Sequence, residues 1–543
     1  MPDSVTSQLG SFYDQVPYDS HPFPQTAPEQ LEAVAFMFGL DAPPPAGARV
    51  LELGCAAGAN LIPFAARHPH ASAVGIDLSP VQVAQGAAAI ERVGLTNITL
   101  HAMDLAGMDA AFGEFDYIIC HGVYSWVPPS VQDAILRICA DHLAPGGVAY
   151  ISYNVYPGWK SREIVRDAML LRGGPRETPQ DKLAYARGML DFLAQSARAD
   201  SVLKKALDEL MPLVRSASTA YLLHEFLEPC NAPCYFKDFV ARAEGHALAY
   251  LAEAEPWTMF VQNYAPDVRE PLLRECGSSQ VVMEQYLDFL VDRAFRQTLL
   301  VRQALAPSVR YRLDAARLRA FEFAATMRTE DGADFVFDAT PQRCVGLRGV
   351  KFTLGQPVHK AVARALDDAW PATMPVASLQ AEVAARLQLA PAASDAAIMA
   401  MLEELLILGA VRVRRGASDI ANHVPPRPRA LASVRQAPQR AGALDGRQSV
   451  MVCNQWHENV ELSVLESCVL AALDGKADRV ALANHLDALA EAGRIHFQRG
   501  GVPLAPLPRN ALAAARTEQR VFVLQQVDSA LQSLQRKGLI CAG

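Results

Sequence analysis

Between Arg49 and Tyr153 short apolar runs alternate with amphipathic helical segments, and that order leaves few folds open to the chain. The runs at 49–53, 72–76, 98–101, 117–120 and 148–153 read as buried strands, and helical spacing fits 60–67, 80–93 and 130–142. Strands that alternate with helices build an α/β domain, a parallel sheet with helices packed on it. Pro145-Gly146-Gly147 reads as the turn that feeds the fifth strand. Open sheets of this kind bind ligands outside the carboxyl ends of their strands, so the residues following each run form the candidate site.

The first run continues Val50-Leu51-Glu52-Leu53-Gly54-Cys55-Ala56-Ala57-Gly58-Ala59-Asn60. Small residues after a buried strand let the backbone pass close to a ligand and then enter a helix, whose first amides suit a carboxylate. A tight packing turn needs the same residues, so the loop alone does not decide. The second run ends Val74-Gly75-Ile76-Asp77-Leu78-Ser79, with Asp77 25 residues beyond Glu52. A carboxylate at that tip accepts both hydroxyls of a ribose, in nicotinamide enzymes as in others. The third ends His101-Ala102-Met103-Asp104-Leu105, where Asp104 either accepts the amine of an adenine or caps a helix. The fourth passes through a structural Asp116 into an aromatic loop, His121-Gly122-Val123-Tyr124-Ser125-Trp126-Val127-Pro128. In this order, on strand tips, the set describes a nucleoside-cofactor site.

A chain of 543 residues is too long for one core, and ~100–200 residues per domain divides it into roughly three or four. We read 1–45 as an N-terminal lid segment, 46–160 as the cofactor-binding domain and 161–310 as a helical domain. A middle domain at 311–415, a linker at 416–448 and a C-terminal domain at 449–543 complete the division. Thr26 is expected to cap a helix over 26–40, with Pro28 and Glu29 in its first turn. From Gly158 to Arg310 the period is helical and no strand is expected. Residues 376–415 read helix, helix, strand, in the manner of a winged helix. Residues 425–446, rich in Pro, Arg, Ala and Gln, read as linker. Helices are expected at 464–473, 480–492 and 518–537.

With 51% hydrophobic and 20% charged residues, the composition is that of a soluble globular protein. A net charge of −8 with no dense Lys/Arg block argues against nucleic acid or an anionic membrane as the main partner. No secretory signal and no apolar run of ~18 residues is found, so the expected location is cytoplasmic, with no membrane span. Ten cysteines are spread thinly, and Cys230 and Cys234 lack the second pair a zinc site needs. They read as free thiols in a reducing compartment, and no metal is expected. The His, Glu, Cys and Asp residues of 224–239 read as helix packing, and Trp456-His457-Glu458 is too sparse for a site.

With these residues in hand the sequence resembles the class I methyltransferases. More narrowly, it is similar to bacterial proteins that carry a methyltransferase regulatory domain, among them the rickettsial protein lysine methyltransferases. The resemblance rests on Tyr13-Asp14-Gln15-Val16-Pro17-Tyr18, on Leu51 to Cys55 with Asn60-Leu61-Ile62-Pro63, on the His121 loop and on Tyr153-Asn154-Val155-Tyr156-Pro157-Gly158-Trp159. Tyr221-Leu222-Leu223-His224-Glu225-Phe226 and Pro233-Cys234-Tyr235-Phe236-Lys237-Asp238-Phe239 resemble the regulatory domain, and Leu473-Asp474-Gly475 with Asp478-Arg479 its C-terminal extension. Ala56 departs from the pattern, standing where a generic member has the middle glycine.

The resemblance implies a Rossmann-like α/β domain, then a helical domain and mixed α/β, winged-helix-like C-terminal domains. It implies S-adenosyl-L-methionine as cofactor, held by Glu52, Gly54, Gly58, Asp77 and Asp104. Cys55, Ala56, Asn60, Leu78, Leu105 and His121 complete the expected contact set. Tyr18, Tyr124, Trp126, Asn154 and Tyr156 are the acceptor-side candidates, because an aromatic face attracts an ammonium by ~0.5–2 kcal/mol. Core or lid packing is the alternative for each aromatic. The resemblance nominates protein lysine as acceptor, with a homodimer formed through the helical part. A small-molecule acceptor and a non-catalytic cofactor-binding interaction protein stay open. Nucleic-acid methylation is disfavoured, since the fourth-strand loop lacks the Asn/Asp-Pro-Pro-aromatic pattern. Methyl transfer is an in-line displacement that positioning accelerates, and a lysine must first lose its proton.

Overall fold

The computed structural model describes residues 20–437, 449–499, 502–503 and 513–542. A seven-stranded sheet of order β3-β2-β1-β4-β5-β7-β6 lies at its centre. The strands are β1 (Arg49–Leu53), β2 (Ser72–Asp77), β3 (Ile98–Ala102), β4 (Phe115–Cys120), β5 (Leu143–Asn154), β6 (Leu248–Glu253) and β7 (Phe295–Arg302). β1 to β5 pair in parallel, and β7 runs antiparallel between β5 and β6. The strand order reverses between β1 and β4, which opens a crevice at their carboxyl ends. Helices Leu61–Arg67, Pro80–Val93 and Pro129–His142 lie within a residue of the expected spans.

Both faces of the sheet are covered, so its strands are apolar on both sides. Val50, Tyr117, Ile119, Tyr150 and Val301 enter one core, while Leu51, Ile118, Cys120, Ile151 and Leu300 enter the other. The first core does not end with the sheet. It continues through Phe36 and Phe38 into Phe321, Phe323, Leu366, Leu379 and Leu402 of segment 311–415. That segment holds the expected helix, helix and strand at Val376–Leu387, Asp395–Leu408 and Arg412–Arg414, the strand pairing with Glu322–Ala324. Helices between Trp159 and Phe226 pack around a separate core of Val165, Met169, Leu190, Leu207 and Leu222. Among the described residues no helix is long and apolar enough to cross a membrane.

Four local expectations are corrected. Pro145-Gly146-Gly147 lies inside β5, where a register shift opposite Phe115 and Tyr117 absorbs the extra residues as a bulge. Thr26 does not cap: Ala27 is the N-cap of helix Pro28–Met37, and the Thr26 hydroxyl donates to the Phe23 carbonyl. The span from Gly158 to Arg310 is not wholly helical, because it supplies β6 and β7. β6 is buried at every position, and a short run that is apolar up to its last residue has no period that separates strand from helix. Finally, the expected linker is not free chain over its first half. The Ala430 amide donates to Leu473, Cys541 to Arg429 and Gly475 to Pro428, so distant partners order it; 438–448 lie outside the described residues.

β7 escaped notice because Arg296, Gln297 and Thr298 make it look like surface. Arg296 is in fact buried, its guanidinium 2.8 Å from Glu253, 3.0 Å from Glu284 and 2.8 Å from Asp288. Its plane covers the Phe236 ring at 3.6 Å, and Arg293 adds a second cation at 2.9 Å from Asp288. Burial pushes the carboxyls of Glu284 and Asp288 up, against the pull of Arg296. The cluster ties β6, β7 and helix Gln280–Leu290 into the sheet. Arg296→Met keeps the bulk but strips the cation from Glu253 and Glu284 and leaves Asp288 with Arg293 alone, for an expected loss of ~3–5 kcal/mol. Protonation relieves Glu284 and Asp288, so the loss is larger at pH 8 than at pH 5. Denaturation midpoints at the two pH values measure it, and an unchanged midpoint at pH 8 would discount the cluster.

Candidate functional site

A cavity of about 400 Å³ lies outside the carboxyl ends of β1 to β4, a volume typical of small-ligand pockets. The loop after β1 forms one wall. Gly54 and Gly58 take φ of +77° and +71°, and a Cβ on Gly54 would stand 2.3 Å from Val123 Cγ2. Ala56 also takes a left-handed φ, +47°, which costs an L-residue ~1–2 kcal/mol. Its amide donates to Asp77 Oδ2 at 2.8 Å, and that bond holds the turn. Asp77 Oδ1 accepts the Ser79 amide at 2.9 Å, so two backbone donors fix this carboxylate at the tip of β2. Asp104 Oδ1 caps the turn Leu105–Gly107 through the Ala106 amide, and the residue lines the cavity.

Glu52 is the unusual member. Its Oε1 accepts from Asn60 Nδ2 at 2.8 Å, while Oε2 is buried with no hydrogen-bond partner among the described residues. Burial, then the nearby Asp77, push its carboxyl up to about 8 against the lowering effect of Asn60. Such a group is poised for a cation, which would convert it to the carboxylate. His121 is the opposite case: burial holds its ring neutral, with the pKa down to about 3, while Nδ1 meets the Tyr150 hydroxyl at 2.8 Å. The Phe23 ring lies 3.9 Å from it. Of the expected cofactor contacts, Glu52, Gly54, Cys55, Ala56, Asn60, Asp77, Leu78, Asp104, Leu105 and His121 line the cavity. Gly58 is set back from it, against Leu100.

The acceptor-side candidates divide. Trp126 and Asn154 line the cavity, and Tyr18 lies outside the described residues. Tyr124 does not line it: the turn Tyr124–Trp126 sends Tyr124 into the core, edge-on to Phe239 at 5.3 Å. Tyr156 turns away as well, donating to Glu163 Oε1 at 2.6 Å beneath the Lys160 ammonium. Packing takes both aromatics.

The far end of the cavity comes from residues read as helix packing. Helix Thr219–Phe226 and the loop after it bring Tyr221, His224, Glu225 and Glu228 to the wall, opposite Arg162. His224 Nδ1 meets Glu228 Oε1 at 2.9 Å, and Arg162 stands 3.9 Å from Glu225. Burial raises Glu225 to about 7 despite Arg162 and Arg166. The His224-Glu225 pair within the regulatory-domain motif was the available signal. A second surprise is His457, whose Nε2 lies 2.7 Å from Asn60 Oδ1.

Three family models match the chain: "Methyltransferase domain" over 50–147, "Predicted methyltransferase regulatory domain" over 218–302, and "PKMT, C-terminal winged helix domain" over 427–539. An uncharacterized protein of Rickettsia prowazekii is 41% identical over 294 residues, covering 54% of this chain and 53% of that protein. The match thus spans about half the length of that relative. A second uncharacterized protein of the same organism is 37% identical over 233 residues, covering 43% of this chain and 93% of that one. The structure of PKMT2 from Rickettsia typhi shares the fold with a TM-score of 0.83 at 24% identity, covering 96% of this chain and 100% of that one. A complex of that protein with AdoHcy gives 0.81.

Glu52→Gln keeps the bond from Asn60 and removes the charge. Because the folded-state value of about 8 lies above the ordinary 4.5, ionisable Glu52 weakens the fold progressively as pH rises between them. The unliganded Gln variant is expected to melt several degrees above the parent at pH 8 and level with it near pH 4.5. Equal melting at pH 8 by scanning fluorimetry would mean that Glu52 is not held protonated.

Proposed function

The chain belongs to the methyltransferases that carry a methyltransferase regulatory domain, and on that premise we propose that it is an S-adenosylmethionine-dependent enzyme that methylates lysine side chains of proteins. One observation carries the reading: a single cavity joins the strand-tip acids Glu52, Asp77 and Asp104 to a far end lined by Trp126, Glu225 and Glu228.

The residues present fit the cofactor. A left-handed turn leaves room for close backbone approach at Gly54. Asp77 offers an oriented carboxylate suited to ribose hydroxyls, and Asp104 one suited to an adenine amine. Glu52 Oε2, without a partner among the described residues, suits the cationic amino acid end. When bound, S-adenosylmethionine supplies a methyl group on a sulfonium, open to in-line displacement. The AdoHcy complex of the Rickettsia typhi protein supports this choice of cofactor.

The name PKMT on that structure and on the C-terminal family model supports a protein lysine acceptor, and the chemistry of the far end supports a cation. Trp126 brings to the wall an indole of the kind that attracts an ammonium, and Glu225 and Glu228 bring carboxyl groups. A lysine reacts only as the neutral amine, so its proton must leave. Glu225, raised to about 7, is matched to that task near neutrality, while neutral His121 is not.

Labelled-methyl transfer into a lysate of the source cells tests the reading, with Asp77→Ala as control. A discrete labelled protein band, lost in the control and mapped to lysine, is expected; label only in small molecules would overturn the protein acceptor. With the acceptor in hand, kcat should rise through about pH 7. Glu225→Gln should remove that limb and lower kcat by ~10²–10⁴-fold. An unchanged profile would relieve Glu225 of the role. The same reading includes a homodimer, which light scattering at micromolar concentration would overturn by returning a monomer mass.

A further inference from the structure

The hairpin of Val450–Cys453 and Asn459–Leu462 in the C-terminal unit turns through Asn454-Gln455-Trp456-His457-Glu458. Asn454, Trp456 and His457 are buried, although they sit at a hairpin tip, where side chains are ordinarily solvated. His457 takes φ of +61°, an uncommon conformation for a bulky residue. Asn454 imposes it. Its Oδ1 accepts the amides of Trp456 and Glu458, both at 2.9 Å, and its Nδ2 donates to Glu458 Oε2 at 2.9 Å.

The turn delivers the imidazole onto Asn60, behind the cavity wall. The Arg67 guanidinium donates to His457 Nδ1 at 3.0 Å, which leaves the ring proton on Nε2. Nε2 then donates to Asn60 Oδ1 at 2.7 Å, and Asn60 Nδ2 donates to Glu52 Oε1 at 2.8 Å. Glu29 holds Arg67 at 3.2 Å. Donors thus point one way along the whole series, from Arg67 to Glu52 Oε1, and the other oxygen of that carboxyl, Oε2, is buried with no hydrogen-bond partner among the described residues. The Phe23 amide also reaches Asn60 Oδ1, at 3.0 Å, and the Thr26 hydroxyl lies near both amide atoms of Asn60. An amide side chain is held in one of its two orientations only by such partners. Turned over, Asn60 would set an oxygen against Glu52.

We infer that His457 is a positioning residue of the cofactor site: through Asn60 the C-terminal unit fixes the Glu52 carboxyl that receives the ligand's cationic end. The winged-helix unit is then part of the methyltransferase site in the same chain. This rests on the cofactor reading above, and the test separates the two.

The test is calorimetric titration of the full chain with S-adenosylhomocysteine. Failure of the parent protein to bind would overturn the cofactor reading itself, before any variant is compared. His457→Gln sets an amide nitrogen where Nε2 stands; His457→Leu keeps bulk without a donor. The Leu variant is expected to bind about tenfold more weakly, the size of one lost neutral hydrogen bond, and the Gln variant within about threefold of the parent. In a Glu52→Gln background the penalty of His457→Leu should largely vanish, a coupling that general loosening of the fold would not produce. Should His457→Leu fail to fold, His457→Asn, which tolerates the left-handed turn and cannot reach Asn60, takes its place. Parental affinity in the Leu or Asn variant, equal losses for Leu and Gln, or additive losses with Glu52→Gln would each overturn the inference.

Discussion

A carboxyl at 4% exposure must find partners or stay protonated, and Glu52 does some of each. Among the described residues its one hydrogen-bond partner is Asn60, and Asn60 must itself be satisfied. The donors that satisfy it come from Phe23 of the N-terminal segment and His457 of the C-terminal unit. One buried polar group at the tip of β1 thereby draws the two ends of the chain onto the same strand–loop–helix. Removing any member leaves a buried donor or acceptor unmade, which costs more than the bond itself contributes.

Around that node the units are joined by apolar burial rather than by linkers. The core on one face of the sheet runs on into Phe321, Phe323 and Leu402, so segment 311–415 has no separate interior. The C-terminal unit has its own core, including Leu462, Leu486 and Val527, and meets its neighbours through aromatic and cationic contacts. Trp456 stacks parallel to Trp370 at 6.3 Å, with Arg414 4.6 Å from its ring and its indole N–H on the Pro371 carbonyl. These contacts seat the hairpin whose tip carries His457. Arg296 does the same for β6 and β7, holding them beside β5 and hence Phe295 at the cavity wall.

The strand tips were legible because each belongs to a single strand–helix step: a buried run, small or acidic residues, then a cap. Those positions follow from chain direction, whatever else packs nearby. Aromatic residues of the fourth-strand loop were less legible. Tyr124 and Trp126 sit two positions apart in one loop, and only the presence of Phe239 and Tyr153 decides which ring is core. For the same reason Arg296 disguised β7: a charged residue signals surface unless its partners, Glu253, Glu284 and Asp288, are known to converge on it.

The sequence by itself determined the parallel sheet, the nucleoside-type acids at its strand tips and the run of small residues after the first strand. These are consequences of local sterics and of the strand period, which a few neighbouring residues encode. Tertiary structure alone decided that Glu225 and Glu228 line the cavity and that His457, 397 positions from Asn60, backs Asn60 at its wall. Their roles depend on which buried polar groups are left needing partners once the units have packed, and spacing along the chain carries no record of that.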